Sequence, residues 1–122
     1  MLNFNTRTGT PVCLFDEKEP TFYFDGTDIN LFNTMQNVAE MMQEFSTEKS
    51  NELTLEILNE KIDKAAIMID SALGKGVTSK ALRGTKSFDQ LLAFIEFLTE
   101  AIKNERKTLK DKYKKQIKKG VI

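Results

Sequence analysis

From Phe88 to Lys119 the chain, "FDQLLAFIEFLTEAIKNERKTLKDKYKKQIKK", runs without a glycine or proline. Leu91, Leu92, Ile95, Leu98 and Ile102 recur at helical spacing, and Phe88, Phe94 and Phe97 widen the stripe until nearly the whole circumference is apolar over about three turns. A helix that is apolar all round is buried on several sides, and a chain of 122 residues holds one core of ordinary size. One side of this helix is therefore expected to be covered by a partner or a second subunit. Phe88, Leu91, Phe94, Ile95, Phe97 and Leu98 form the candidate partner-binding face. Past Ile102 the character changes. Residues Lys103 to Lys119 carry nine basic and two acidic side chains, with only Leu109, Tyr113 and Ile117 keeping the apolar spacing. This part is expected to project from the core as a basic arm. Lys107, Lys110, Lys114, Lys115 and Lys118 are its candidate phosphate- or acid-binding groups, a solvated charged face being the plainer reading.

Two further helices precede it. "DGTDIN" has turn chemistry, and Asp28 or Asn30 is placed to cap a helix starting near Leu31, with Phe32, Met35, Val38, Met42 and Phe45 on one stripe. Met35, Met41 and Met42 suit either a core or an adaptable binding surface. After "STEKSN" a second helix is expected from about Glu52 to Leu73, with the stripe Leu55, Leu58, Ile62, Ala65, Ile69 and Leu73. Ala65 and Ala66 allow a close helix approach.

Ahead of the helices, "PVCLF" and "TFYFD" are β-branched and aromatic runs flanking "DEKEP", which predicts an antiparallel hairpin. Alternation puts Val12 with Leu14 and Phe22 with Phe24 on shared faces. Such a ribbon is marginal alone, so one face must rest on helices or on a neighbour. Cys13 is expected to be a buried strand residue. The fold class is α+β, mostly α: one domain comprising an N-terminal hairpin (residues 1–26), a helical core (28–102) with three main helices and a short turn between the last two, and a basic extension (103–122).

The stretch "DSALGKGVTSKALRG" joins the last two long helices. A phosphate loop would require a strand, then glycine-lysine-serine or -threonine entering a helix; this stretch follows a helix and has no such triplet. A corner fits. Gly74 ends one helix, Thr78 or Ser79 starts a short turn carrying Ala81 and Leu82, Gly84 ends that turn, and Ser87 caps the last helix. Gly74, Gly76 and Gly84 are thus structural, with Val77 and Leu82 plugging the gap between the long helices.

Catalysis is not favoured. The chain has no histidine and one cysteine, which removes the commonest acid, base and metal-ligand chemistry, and no carboxylate pair stands out. No metal or cofactor is expected. The formal charge of zero hides an asymmetry: residues 1–60 hold three basic and eleven acidic side chains, residues 61–122 fifteen and seven. Such a dipolar chain favours head-to-tail self-association or a polyanionic partner. "MLNFNTRTGT" resembles no secretory leader, and no apolar run reaches the roughly 20 residues that span a bilayer.

"IDSALGKGVTSKALRGTKSFDQLLAFIEFLTEAI" resembles the C-terminal core of small tail assembly chaperones of phages and prophages of Gram-positive bacteria, and the β-then-helical layout is similar too. Leu73 and Lys75 replace the aromatic and acidic residues usual there, and Leu82-Arg83-Gly84 replaces an aromatic-glycine turn. The resemblance implies a non-enzymatic, oligomeric protein of the host cytoplasm that binds the phage tape measure protein, or another tail protein, and keeps it soluble while the tail assembles. The alternatives are a structural or connector protein of the particle and, less favoured, a nucleic-acid-binding helical module.

Overall fold

The computed structural model describes residues 1–3, 9–47 and 55–118. Its elements are β1 (Thr10–Val12), β2 (Phe22–Phe24), α1 (Ile29–Thr47), α2 (Leu55–Leu73), α3 (Val77–Ala81) and α4 (Phe88–Lys118). The protein is a mostly helical α+β fold opened by a two-stranded antiparallel hairpin, as the sequence pattern predicts.

The strands pair Thr10 with Phe24, Pro11 with Tyr23 and Val12 with Phe22. They are shorter than the apolar runs. After Val12 the chain leaves the ladder, Phe15 takes a left-handed backbone (φ 57°), and Thr21 ties the connection by donating its N–H to the Val12 carbonyl (2.8 Å) and accepting the Leu14 N–H on Oγ1 (3.3 Å). Val12, Leu14, Phe22 and Phe24 are all buried, and the hairpin rests on the chain's own helices. Phe22 meets Phe94 of α4 edge-to-face, ring centroids 6.3 Å apart. Cys13 departs from expectation: it is exposed. With Val12 and Leu14 both facing inward, a pleat of period two turns the residue between them to solvent.

Asp28 caps α1, its carboxylate accepting the Asn30 N–H at 3.0 Å. One turn earlier, Asp25 accepts both the Thr27 hydroxyl (2.6 Å) and the Thr27 N–H (2.9 Å), and these hydrogen bonds hold its carboxyl below the usual carboxylate value. The buried stripe of α1 is Leu31, Met35, Val38 and Met42, which makes these methionines core, with Met41 partly buried against it. Phe32, expected on that stripe, is instead 39% exposed beside α4. The side chains of Phe45, Ile117 and Lys118 and the expected helix start at Glu52 lie outside the described residues.

Ile62, Ala65 and Ile69 are the buried face of α2, with Ala65 fully enclosed. Leu55, expected on the stripe, is exposed. The corner then forms around left-handed glycines: Gly74 at φ 130°, Gly76 at 82° and Gly84 at 74°. The expected serine or threonine start of α3 is not what is found. Gly76 is the N-cap, without a side-chain bond of its own, and Asp70 of α2 supplies the missing acceptor, taking the Thr78 N–H at 2.9 Å and the Gly76 N–H at 3.2 Å. A carboxylate at a helix start satisfies orphan donors and complements the helix dipole. Val77, Ala81 and Leu82 plug the space between α2 and α4, and Ser87 caps α4 by accepting the Gln90 N–H on Oγ at 3.2 Å.

Candidate partner-binding surface

The six residues assigned to one partner face are divided by the fold. Leu91, Phe94, Ile95 and Leu98 are buried in the chain's own core, Phe88 packs partly buried against it, and Phe97 alone of the six is half exposed, at 49%. The physical reason is the hairpin. It covers the Phe94 side of α4, while α1, α2 and α3 take the arc running through Leu91, Ile95 and Leu98, so this one chain buries most of a helix that the pattern assigned partly to a partner.

Phe97 stands between two hollows. One, of about 210 Å³, is bounded by Cys13, Phe15, Ala93 and Phe97; the other, of about 410 Å³, by Pro11, Cys13, Ala101 and Thr108. Phe15 is itself half exposed, and the Arg83 guanidinium sits 4.8 Å from its ring centroid. Phe97, Phe15 and the alanines thus make an open apolar patch with a cation at its edge.

On the opposite flank of α4 lies a groove of about 420 Å³, walled by Phe32, Met35 and Ala39 of α1 and by Thr99 and Ile102 of α4. Arg106 closes one end. Its Nε donates to the Gly26 carbonyl at 3.0 Å, and its guanidinium lies 4.3 Å from the Phe32 ring centroid. At about 100° per residue Phe32 stands about 90° from the centre of the buried stripe of Leu31, Met35, Val38 and Met42, at its edge, where the ring serves as a platform for the cation. Past Ala39 and Thr99 the groove opens into a wider hollow bounded by Ile95, Glu96, Phe97 and Glu100 of α4, so Phe97 borders this hollow on one side and the hairpin hollows on the other.

Gly26 lets the end of the hairpin approach α4. A Cβ there would sit 2.8 Å from both Cβ and Cγ of Glu105. Glu105 in turn accepts a hydrogen bond from the Thr10 hydroxyl, so the start of the arm is fastened to the hairpin at two neighbouring residues. Neither Gly26 nor Arg106 was singled out from the sequence. The available signal was Arg106 as the one arginine in a lysine-rich run.

The remaining candidates are placed as follows. Lys107, Lys110, Lys114 and Lys115 are exposed on the last turns of α4, with Leu109 partly buried and Tyr113 49% exposed. Among the described residues no group of three cysteine, aspartate or glutamate side chains is placed to hold a metal ion, and no helix is long and apolar enough to cross a membrane.

No curated protein and no solved structure matches the chain. A family model does, over residues 18–119, a span that takes in β2 and all four helices. The chain belongs to that family, DUF6673, described as a family of unknown function.

Proposed function

We propose that this protein is a non-enzymatic helix-binding protein, and more specifically a phage tail assembly chaperone that holds the tape measure protein soluble in the host cytoplasm while tail subunits polymerise. The observation that carries the reading is the open apolar patch around Phe97. A half-exposed aromatic side chain between two hollows is the kind of anchor that amphipathic client helices use, with apolar residues spaced by three and four entering such hollows. Arg83 at the edge offers charge for register. The client is a long, coiled-coil-prone chain whose exposed heptad faces would otherwise aggregate.

A structural role in the particle, with the hairpin donating strands to neighbours, is favoured less. The ladder is three residues long on each side and carries Pro11 in its edge strand, a poor template for a further strand. A nucleic-acid-binding role would rest on the basic arm, where Tyr113 is the only aromatic side chain available for base stacking.

Co-expression with the tape measure protein encoded nearest the gene, followed by size-exclusion chromatography with light scattering, tests the proposal. The client is expected to stay soluble and co-elute with the wild-type chain and to be lost with Phe97→Asp. Precipitation of the client whether or not the chain is present would sink the chaperone reading.

A further inference from the structure

We infer that the basic α4 arm of one copy docks in the α1–α4 groove of a second copy, so that the chain self-associates head to tail. The inference goes beyond the chaperone reading and does not depend on it. The arm and the acidic end of the groove are complementary in charge. On a helical projection Leu109 and Tyr113 continue the inward stripe of α4, and exposed Lys110 and Lys112 flank that stripe on its two sides. Leu109 is partly buried and lines a hollow against Phe24 and Leu73 of its own chain, and Tyr113 is 49% exposed at the edge of that hollow. The groove offers an apolar floor of Met35, Ala39 and Ile95. Lys103 and Arg106 stand at one end and exposed Glu96 and Glu100 at the other, so the acidic end is the one that suits the arm, with exposed Glu40 next to Ala39 in sequence on α1.

The arm's charge is not neutralised within one chain. Among the described residues Lys107, Lys110, Lys112, Lys114 and Lys115 make no ion pair, and neither do Glu40, Glu96 and Glu100. Nor can the two regions of one chain meet. Glu96 and Lys110 stand on the same unbroken helix, about 21 Å apart along its axis at roughly 1.5 Å per residue. Satisfying the acidic end of the groove with the arm therefore takes a second molecule, and the same geometry repeats on that molecule's own groove. Because the two patches differ, the contact is heterologous and propagates into a ring or an open filament rather than closing as a two-fold dimer.

Sedimentation velocity on the full chain, from micromolar to high micromolar and at low and high salt, tests the inference. The expected result is a mass that rises with concentration and falls with salt. The arm variant Lys110→Glu/Lys112→Glu and the groove variant Glu96→Lys/Glu100→Lys should each weaken association at least about tenfold. The chain carrying all four changes should associate again, with circular dichroism confirming unchanged helicity in each. Phe15→Asp, which alters the patch on the hairpin side and touches neither hollow of the groove, should leave the association intact, which separates it from client binding. A chain that stays monomeric throughout, an assembly indifferent to both charge reversals, or a four-fold variant that fails to recover would overturn the proposal. So would a monomer whose arm instead retains a double-stranded oligonucleotide in a salt-dependent way.

Discussion

Phe94 and Phe97 lie three residues apart on α4, and replacing each with alanine should have opposite consequences. Phe94 is 5% exposed and stacks edge-to-face on Phe22, so truncation empties a packed site; such changes cost about 3–5 kcal/mol. Phe97 is 49% exposed. Full burial of a large apolar side chain contributes about 1.5–3 kcal/mol, so half of that, about 1 kcal/mol, is the stake at Phe97. The unfolding entropy of a 122-residue chain is about 0.26 kcal/mol/K near its midpoint, which makes each kcal/mol about 4 °C. Thermal unfolding followed by circular dichroism should thus show Phe94→Ala melting about 12–20 °C lower and Phe97→Ala only about 4 °C lower. Pull-down of the tape measure protein should rank the pair the other way at a temperature where both are folded. Equal destabilisation by the two changes would mean that Phe97 is core and that the open patch is not a binding surface.

Gly26→Ala forces a methyl group to 2.8 Å from Glu105 and should destabilise by about 1–3 kcal/mol, the range for overpacking, measured by urea titration; an unchanged midpoint would show that the hairpin end does not sit against α4. Asp70→Ala removes the acceptor for two N–H groups at the start of α3 and should cost about 0.5–2 kcal/mol in the same titration, whereas a neutral result would place the cap elsewhere. The Thr78 hydroxyl is fully buried and has no hydrogen-bond partner among the described residues, so Thr78→Val, which keeps the shape and removes the unpaired group, should raise stability by about 1 kcal/mol; a loss would reveal a partner. Cys13 is exposed, and a thiol reagent should label it in the folded protein as fast as in denaturant. Labelling only after unfolding would restore the buried assignment.

Much of the fold was legible because its determinants are local. The glycines of the corner sit where left-handed backbone is needed, Ser87 and Asp28 cap the helices that follow them, and the alternation in the hairpin sorts its buried from its exposed residues once the strand face is known. Cys13 was misplaced because composition favours a buried free cysteine, whereas the strand's own period puts Val12 and Leu14 inside. Asp70 as the cap of α3 was not legible, since the carboxylate lies eight residues before the N–H it satisfies and on a different helix.

The candidate surface was less legible, and the reason is a matter of counting faces. An apolar circumference on α4 states that the helix must be covered, but not by what. The hairpin has four inward-facing apolar side chains, Val12, Leu14, Phe22 and Phe24, and these serve as the cover that the pattern alone assigned to a partner. What remains open is decided by where that small ribbon stops. It reaches Phe94 and leaves Phe97, because residues three apart on a helix are about 60° off the same line and the ribbon is only two strands wide. At the α1–α4 groove Phe32 lies at the edge of the buried stripe of α1 and so lines the wall, and Arg106, held by its bond to the Gly26 carbonyl, packs on that ring at one end. Helix periodicity predicts which residues avoid water; the positions still exposed to a partner follow from which of those faces the chain itself runs out of material to cover.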